Sequence, residues 1–150
     1  MGLDYELVRY HRIGSPTDRQ RVAGDRPLEC ALCHADKTVA SLLASLEQWW
    51  GKRYDGGALR ALYGDNLDVN AIDATLARGK PHEQAVAIAV RGELRDIRAV
   101  PKLVPHLAHA YPLVRFYAHR ALEKITGRSI ALDLNAPAHT IRTELEKAPL

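Results

Sequence analysis

The second half of the chain repeats itself, and this repeat restricts the fold more than any other feature. Gly92-Glu93-Leu94-Arg95-Asp96-Ile97-Arg98-Ala99-Val100-Pro101 joins one helical pattern to the next. Before it, Ala85, Val86, Ala89, Val90 and Leu94 recur at helical spacing; after it, Val100, Leu103, Val104 and Leu107 do the same. Tyr111-Pro112-Leu113-Val114-Arg115 opens a third helix with Val114, Ala118, Ala121, Leu122 and Ile125 facing inward, and Gly127 ends it. Pro137 starts a fourth, with Ile141 and Leu145 as its apolar contacts. Laying Pro112 on His82 gives a period of about thirty residues, within the range of helical solenoids. One such unit cannot bury its apolar stripe alone, so the pattern demands stacked helices. Pro105 predicts a bend in the second helix unless it falls in the first turn.

The first half reads differently. Residues 1–29 carry turn clusters at Gly14-Ser15-Pro16-Thr17-Asp18 and Gly24-Asp25-Arg26-Pro27 and little helical periodicity, which predicts an irregular arm lying over other structure. Val39, Leu42, Leu43, Leu46, Trp49 and Trp50 then recur as one helix face, with Asp36 or Thr38 to cap its start and Gly51 its end. Shorter helices are expected near 57–63 and 70–78, punctuated by Gly56-Gly57, Gly64-Asp65-Asn66 and Gly79-Lys80-Pro81. The expected class is all-α, divided into an arm-plus-helix segment at 1–80 and a repeat segment at 81–150.

Composition narrows the function classes. At 150 residues and 47% hydrophobic the chain can build a core without staples. A net charge of +3, with no basic block interleaved with aromatics, argues against nucleic acid as a partner. No apolar run approaches a membrane span. Gly-x-Ser-x-Gly, His-Glu-x-x-His and Walker patterns are lacking, which removes the main hydrolytic and nucleotide-binding readings.

The chemistry is concentrated at Cys30-Ala31-Leu32-Cys33-His34, which contains the two cysteines of the chain. This is the c-type haem attachment pattern. The thiols of Cys30 and Cys33 can add across the two vinyl groups of haem, and His34 follows closely enough to reach the iron as proximal ligand. Three other readings compete. A thiol–disulfide redox pair usually opens a helix after a strand, and little here reads as strand. Zinc would need two further ligands from elsewhere, since no second Cys-x-x-Cys exists. Two small core thiols without chemistry are the third. Trp49-Trp50 can wall a haem ring or simply fill the core.

A six-coordinate haem needs a second axial ligand. Met1 is the one methionine, which points to bis-histidine ligation and a comparatively low potential. His11, in the arm between Tyr10 and Arg12, and His82, at the start of a repeat helix, are the distal candidates. His106 and His109 lie three apart and can clamp a metal, although a solvated face explains them as well. His119 reads as surface at the edge of its stripe, and His139 has no constellation around it.

The strings Gly-Glu-Leu-x-Asp-x-Arg-Ala-Val-Pro and Pro-x-Val-Arg-x-x-Ala-x-x-Ala-Leu resemble the bacterial HEAT-like repeat, of the type also found in phycobilisome lyases, over about residues 82–146. His82-Glu83-Gln84-Ala85 departs from the usual Pro-x-Val-Arg opening. The resemblance implies paired antiparallel helices in a short right-handed array and no particular activity. A longer resemblance runs through Arg26-Pro27-Leu28-Glu29-Cys30-Ala31-Leu32-Cys33-His34-Ala35-Asp36-Lys37-Thr38, then Trp49-Trp50-Gly51-Lys52-Arg53-Tyr54-Asp55, and on into the repeats. These segments are similar to the C-terminal region of exported bacterial multihaem c-type cytochromes carrying HEAT-like repeats. It implies electron transfer with redox partner proteins or neighbouring haems, haem c as cofactor, a periplasmic or extracellular location, and docking on the repeats.

Met1-Gly2-Leu3-Asp4-Tyr5-Glu6 is not a signal peptide, because it is acidic and lacks an apolar stretch. Haem attachment of this kind normally follows export. The expectation is therefore that the chain is the C-terminal part of a longer exported protein, with Met1 an added residue. The alternative is a cytoplasmic protein-binding module whose Cys/His site holds zinc or nothing. An electron carrier is expected rather than an enzyme; a haem peroxidase or nitrite reductase would need an open iron position.

Overall fold

Short polar side chains start the helices. Asp18 accepts from the Gln20 and Arg21 N–H groups at 2.8 and 3.1 Å and starts α1, Arg19–Gly24. Thr38 caps α2, Val39–Trp50, which ends at Gly51 in the left-handed region with φ 63°. Asp55 caps α3, Gly56–Tyr63, and Asn70 caps α4, Ala71–Arg78. Each such cap is worth about 1 kcal/mol, because it satisfies amide donors that have no partner within the helix. Proline, whose φ suits a first turn, opens α5, Pro81–Glu93, and α7, Pro112–Thr126. The remaining helices are α6, Val100–Leu103, and α8, Ala138–Lys147.

The computed structural model describes residues 15–147, and among them there are eight α-helices, short 3-10 segments and no β-strand. The class is all-α. A single antiparallel bridge pairs Thr38 with Asn70. No helix among the described residues is long and apolar enough to cross a membrane.

Two expectations are corrected and a third is refined. Part of the arm predicted as irregular is helical: α1 forms there and buries Val22. With one buried apolar residue in a six-residue helix, there is no period to read in the sequence. The stripe of α2 does not stay buried to its end. Val39, Leu42 and Leu46 are buried, but Trp49 and Trp50 are 64% and 49% exposed. They continue the same face past the point where neighbouring elements cover it, and their rings meet edge-on with centroids 5.6 Å apart. At Pro105 the helix changes type: α6 gives way to a 3-10 segment, Val104–Ala108. Proline offers no N–H to an α-helical ladder, and the tighter turn accommodates that loss.

In the second half α5 packs most extensively on α7, and α4 also packs on α5. The Val100–Ala108 segment packs on α7, and α8 packs on the 3-10 part of that segment. The approach of α5 to α7 is close at one point. A Cβ on Gly92 would lie 2.8 Å from the Ala121 Cβ and 3.0 Å from its Cα, so the pair meets backbone to methyl. A single apolar cluster runs from Val22 and Leu28 through Leu46, Ile72 and Ile88 to Leu122 and Ile141. It joins the arm-plus-helix segment to the repeats.

Candidate functional site

The Cys30–His34 segment folds as one turn on buried supports. Its first part is a 3-10 segment, Glu29–Leu32, in which the Ala31 N–H donates to the Leu28 carbonyl at 2.8 Å. The N–H groups of Cys33 and His34 both donate to the Cys30 carbonyl, at 3.3 and 2.9 Å. Leu28, Ala31 and Ala35 are buried, and they seat the turn in the core. Between them Leu32, Cys33 and His34 are exposed and Cys30 is half-buried. The alternation puts one thiol and the imidazole at the surface and the other thiol at its margin.

Both cysteines are free thiols. Burial pushes the Cys30 thiol up; a hydrogen bond to the sulfur from the residue's own backbone opposes this, and the neighbouring Cys33 adds to the rise. A redox-active or nucleophilic cysteine needs the opposite, an electropositive setting that lowers its pKa. Among the described residues no three His, Cys, Asp or Glu side chains come together as a metal-ion site. Zinc needs its ligands around one point at about 2.0–2.3 Å. Haem does not ask for that convergence from this pentapeptide, since two thiols bond at separate vinyl groups and one imidazole at the iron.

Two polar ties hold the turn from either side. Upstream, Arg26 donates from its backbone N–H to Glu83 Oε1 and from Nε to Oε2, both at 3.0 Å. Arg26 Nη1 also donates to the Leu62 carbonyl, and the Lys80 N–H donates to Glu83 Oε2 at 2.6 Å. Glu83 is 1% exposed. Burial alone would raise its pKa, but the Lys80 N–H and the charge and hydrogen bonds of Arg26 outweigh it and hold the carboxyl below the usual range. Downstream, Asn70 Nδ2 donates to the carbonyls of Ala35 at 2.8 Å and Lys37 at 3.4 Å. Its Oδ1 accepts from Arg91 Nη2 at 2.9 Å, and Arg91 also pairs with Asp73 at 2.8 Å and Asp96 at 3.1 Å. These groups, with Asp36, Arg98, Ala99 and Lys102, line an open cavity of about 290 Å³.

Sequence reading missed both ties. Glu83 sits where a capping-box glutamate would, but the N-cap is Lys80, so the usual Ser/Thr signal is lacking. Arg91 falls outside the stripe of its helix, yet it is buried by its carboxylate partners.

The histidines divide clearly. His11 lies outside the described residues. His82 is exposed in the first turn of α5, one residue from the Glu83 contact with the arm. His106 and His109 have ring centroids 6.1 Å apart. Burial, and then the nearby His109, push the His106 pKa down. His109 Nδ1 accepts the Tyr111 N–H at 2.9 Å, which leaves the proton of the neutral ring on Nε2 and no lone pair there for a metal. His119 is not the surface residue expected: it is half-buried, with Nε2 2.7 Å from the Ile130 carbonyl and Nδ1 3.6 Å from Glu123. His139 is exposed on α8.

No family model, curated protein or solved structure matches the chain. A functional reading therefore stands on the turn and its surroundings.

Proposed function

We propose that this chain is an electron-transfer module of a c-type cytochrome, with haem c bonded through Cys30 and Cys33 and His34 as proximal ligand. The observation that carries the reading is the single surface turn that presents two free thiols and an imidazole, with Cys30 at its half-buried margin. When bound, the haem iron supplies one-electron exchange. The protein's part is to anchor, orient and shield. Cys30 and Cys33 anchor, His34 binds and orients, and exposed Leu32, Trp49 and Trp50 provide apolar surface of the kind a porphyrin face covers. His82 within the described residues, or His11 outside them, completes bis-histidine ligation. On this reading the module works outside the cytoplasm, and its redox partners are neighbouring haems or separate proteins.

Production with export and haem-ligation machinery tests this. The expected result is a Soret band, a low-spin spectrum indifferent to cyanide and nitrite, and the mass of one haem on the polypeptide. Polypeptide of unmodified mass without a Soret band ends the reading.

A second reading is a protein-binding module whose Cys/His site holds zinc or nothing. It is favoured by exposed Leu94, Ile97 and Tyr111 on the repeats. Metal analysis separates the two, as iron or zinc at one per chain.

A further inference from the structure

We infer that Asn70, braced by Arg91 from the repeat half, is a positioning residue for His34 and fixes the chain directly behind it. The effect at iron rests on the haem reading; the clamp itself rests on geometry. The Lys37 N–H donates to the His34 carbonyl at 3.0 Å and closes a turn over residues 34–37. Asn70 holds that turn through the Ala35 and Lys37 carbonyls. Lys37's carbonyl also accepts the Ala71 N–H at 3.2 Å, whereas the Ala35 carbonyl is reached by a side chain 35 positions away in sequence.

Asn70 can point its amide nitrogen only one way. Its Oδ1 accepts the Ile72 and Asp73 N–H groups at 3.1 and 3.0 Å as the cap of α4, and Arg91 Nη2 as well. With the oxygen committed to donors, Nδ2 must face the two carbonyls. Arg91 cannot swing away, because its planar guanidinium is held between Asp73 and Asp96 and the residue is 7% exposed. A cap needs only the two amides of α4. The arginine from α5 turns the cap into a strut between the repeat half and the turn that carries His34.

Asn70→Asp isolates the strut. Aspartate caps a helix as well as asparagine and keeps a partner for Arg91, but it cannot donate to the carbonyls. In the full chain without haem, the His34 and Lys37 amides should exchange about two- to ten-fold faster, a larger change than at amides elsewhere in the chain. Arg91→Met should accelerate the same amides, and Arg91→Lys less so. In haem-loaded protein, Asn70→Asp should shift the midpoint potential and the low-spin spectrum. Unchanged exchange at these amides, or acceleration spread evenly along the chain, overturns the clamp. Loaded Asn70→Asp with the parent's potential and spectrum overturns the positioning role. If the parent never takes up haem but the local acceleration is seen, the clamp stands and the haem reading falls.

Discussion

The turn at Cys30–His34 and the α5–α7 pair are held by opposite means. The α5–α7 pair is held mainly by apolar contact, close enough at Gly92 and Ala121 that no side chain fits between them, and its Lys124–Glu93 ion pair lies at the exposed edge. The turn has three small or medium apolar supports and two polar ties, to Glu83 on one side and Asn70 with Arg91 on the other. Apolar packing is broad and non-directional, so it makes a scaffold. Buried hydrogen bonds and ion pairs fix direction, and they are costly when half-made. If the segment holds haem as proposed, aiming an imidazole and two thiols calls for the second kind.

The largest effect should come from breaking the upstream tie. Arg26→Ala leaves a carboxylate in a site 1% exposed and should cost about 3–5 kcal/mol in chemical denaturation. If the loss is below that of an ordinary surface substitution, the turn does not depend on its polar ties.

Gly92→Ala probes the other region. Alanine favours helix over glycine, but here its methyl would meet Ala121 at 2.8 Å. Overpacking of this kind should lower stability by about 1–3 kcal/mol, and a companion Ala121→Gly should recover part of it in a double-mutant cycle. A stabilised Gly92→Ala would mean that the helices do not meet so closely.

Acid should separate the regions further. Glu83 has a folded pKa held below its ordinary 4.5, so its contribution is present above that value and is lost as pH falls through the lower folded pKa. His106 has a folded pKa below its ordinary 6.5, so the unfolded chain takes up the proton first. Its cost therefore begins near that value and grows as pH falls to the folded pKa. Thermal midpoints against pH should fall in two stages. Glu83→Gln should shrink the acid stage, to which Asp36, Glu93 and Asp96 also contribute, and leave the stage belonging to His106 unchanged.

The smallest effect should be at Trp49. Exposed at 64%, it should change stability by no more than about 0.5 kcal/mol when replaced by Ser. A large loss would mean that the end of α2 is packed in solution.

Helix positions were legible in the sequence wherever the cause is local. Thr38 with Gly51, Pro112 with Gly127, and the stripes of α5 and α7 act within a few residues, so spacing reveals them. The interruption expected at Pro105 was legible for the same reason, though not its form as a change to a 3-10 turn. The six residues of α1 were not, because a cap and one buried valine make no pattern.

By itself, then, the sequence determined the all-α class and most of the helix positions, and it drew attention to Cys30, Cys33 and His34. Only the tertiary structure decided that Trp49 and Trp50 stay in solvent, that His109 Nδ1 is taken up by the Tyr111 N–H, and that the turn is clamped by Glu83 and Asn70. Periodicity names a helix face but not how far its neighbours extend. Arg26 and Glu83 lie 57 positions apart, and polar partners at that separation carry no spacing rule. They are brought together by the burial of Val22, Leu28 and Ile88 in a common core, and their bonds are then required because buried polar groups must be paired.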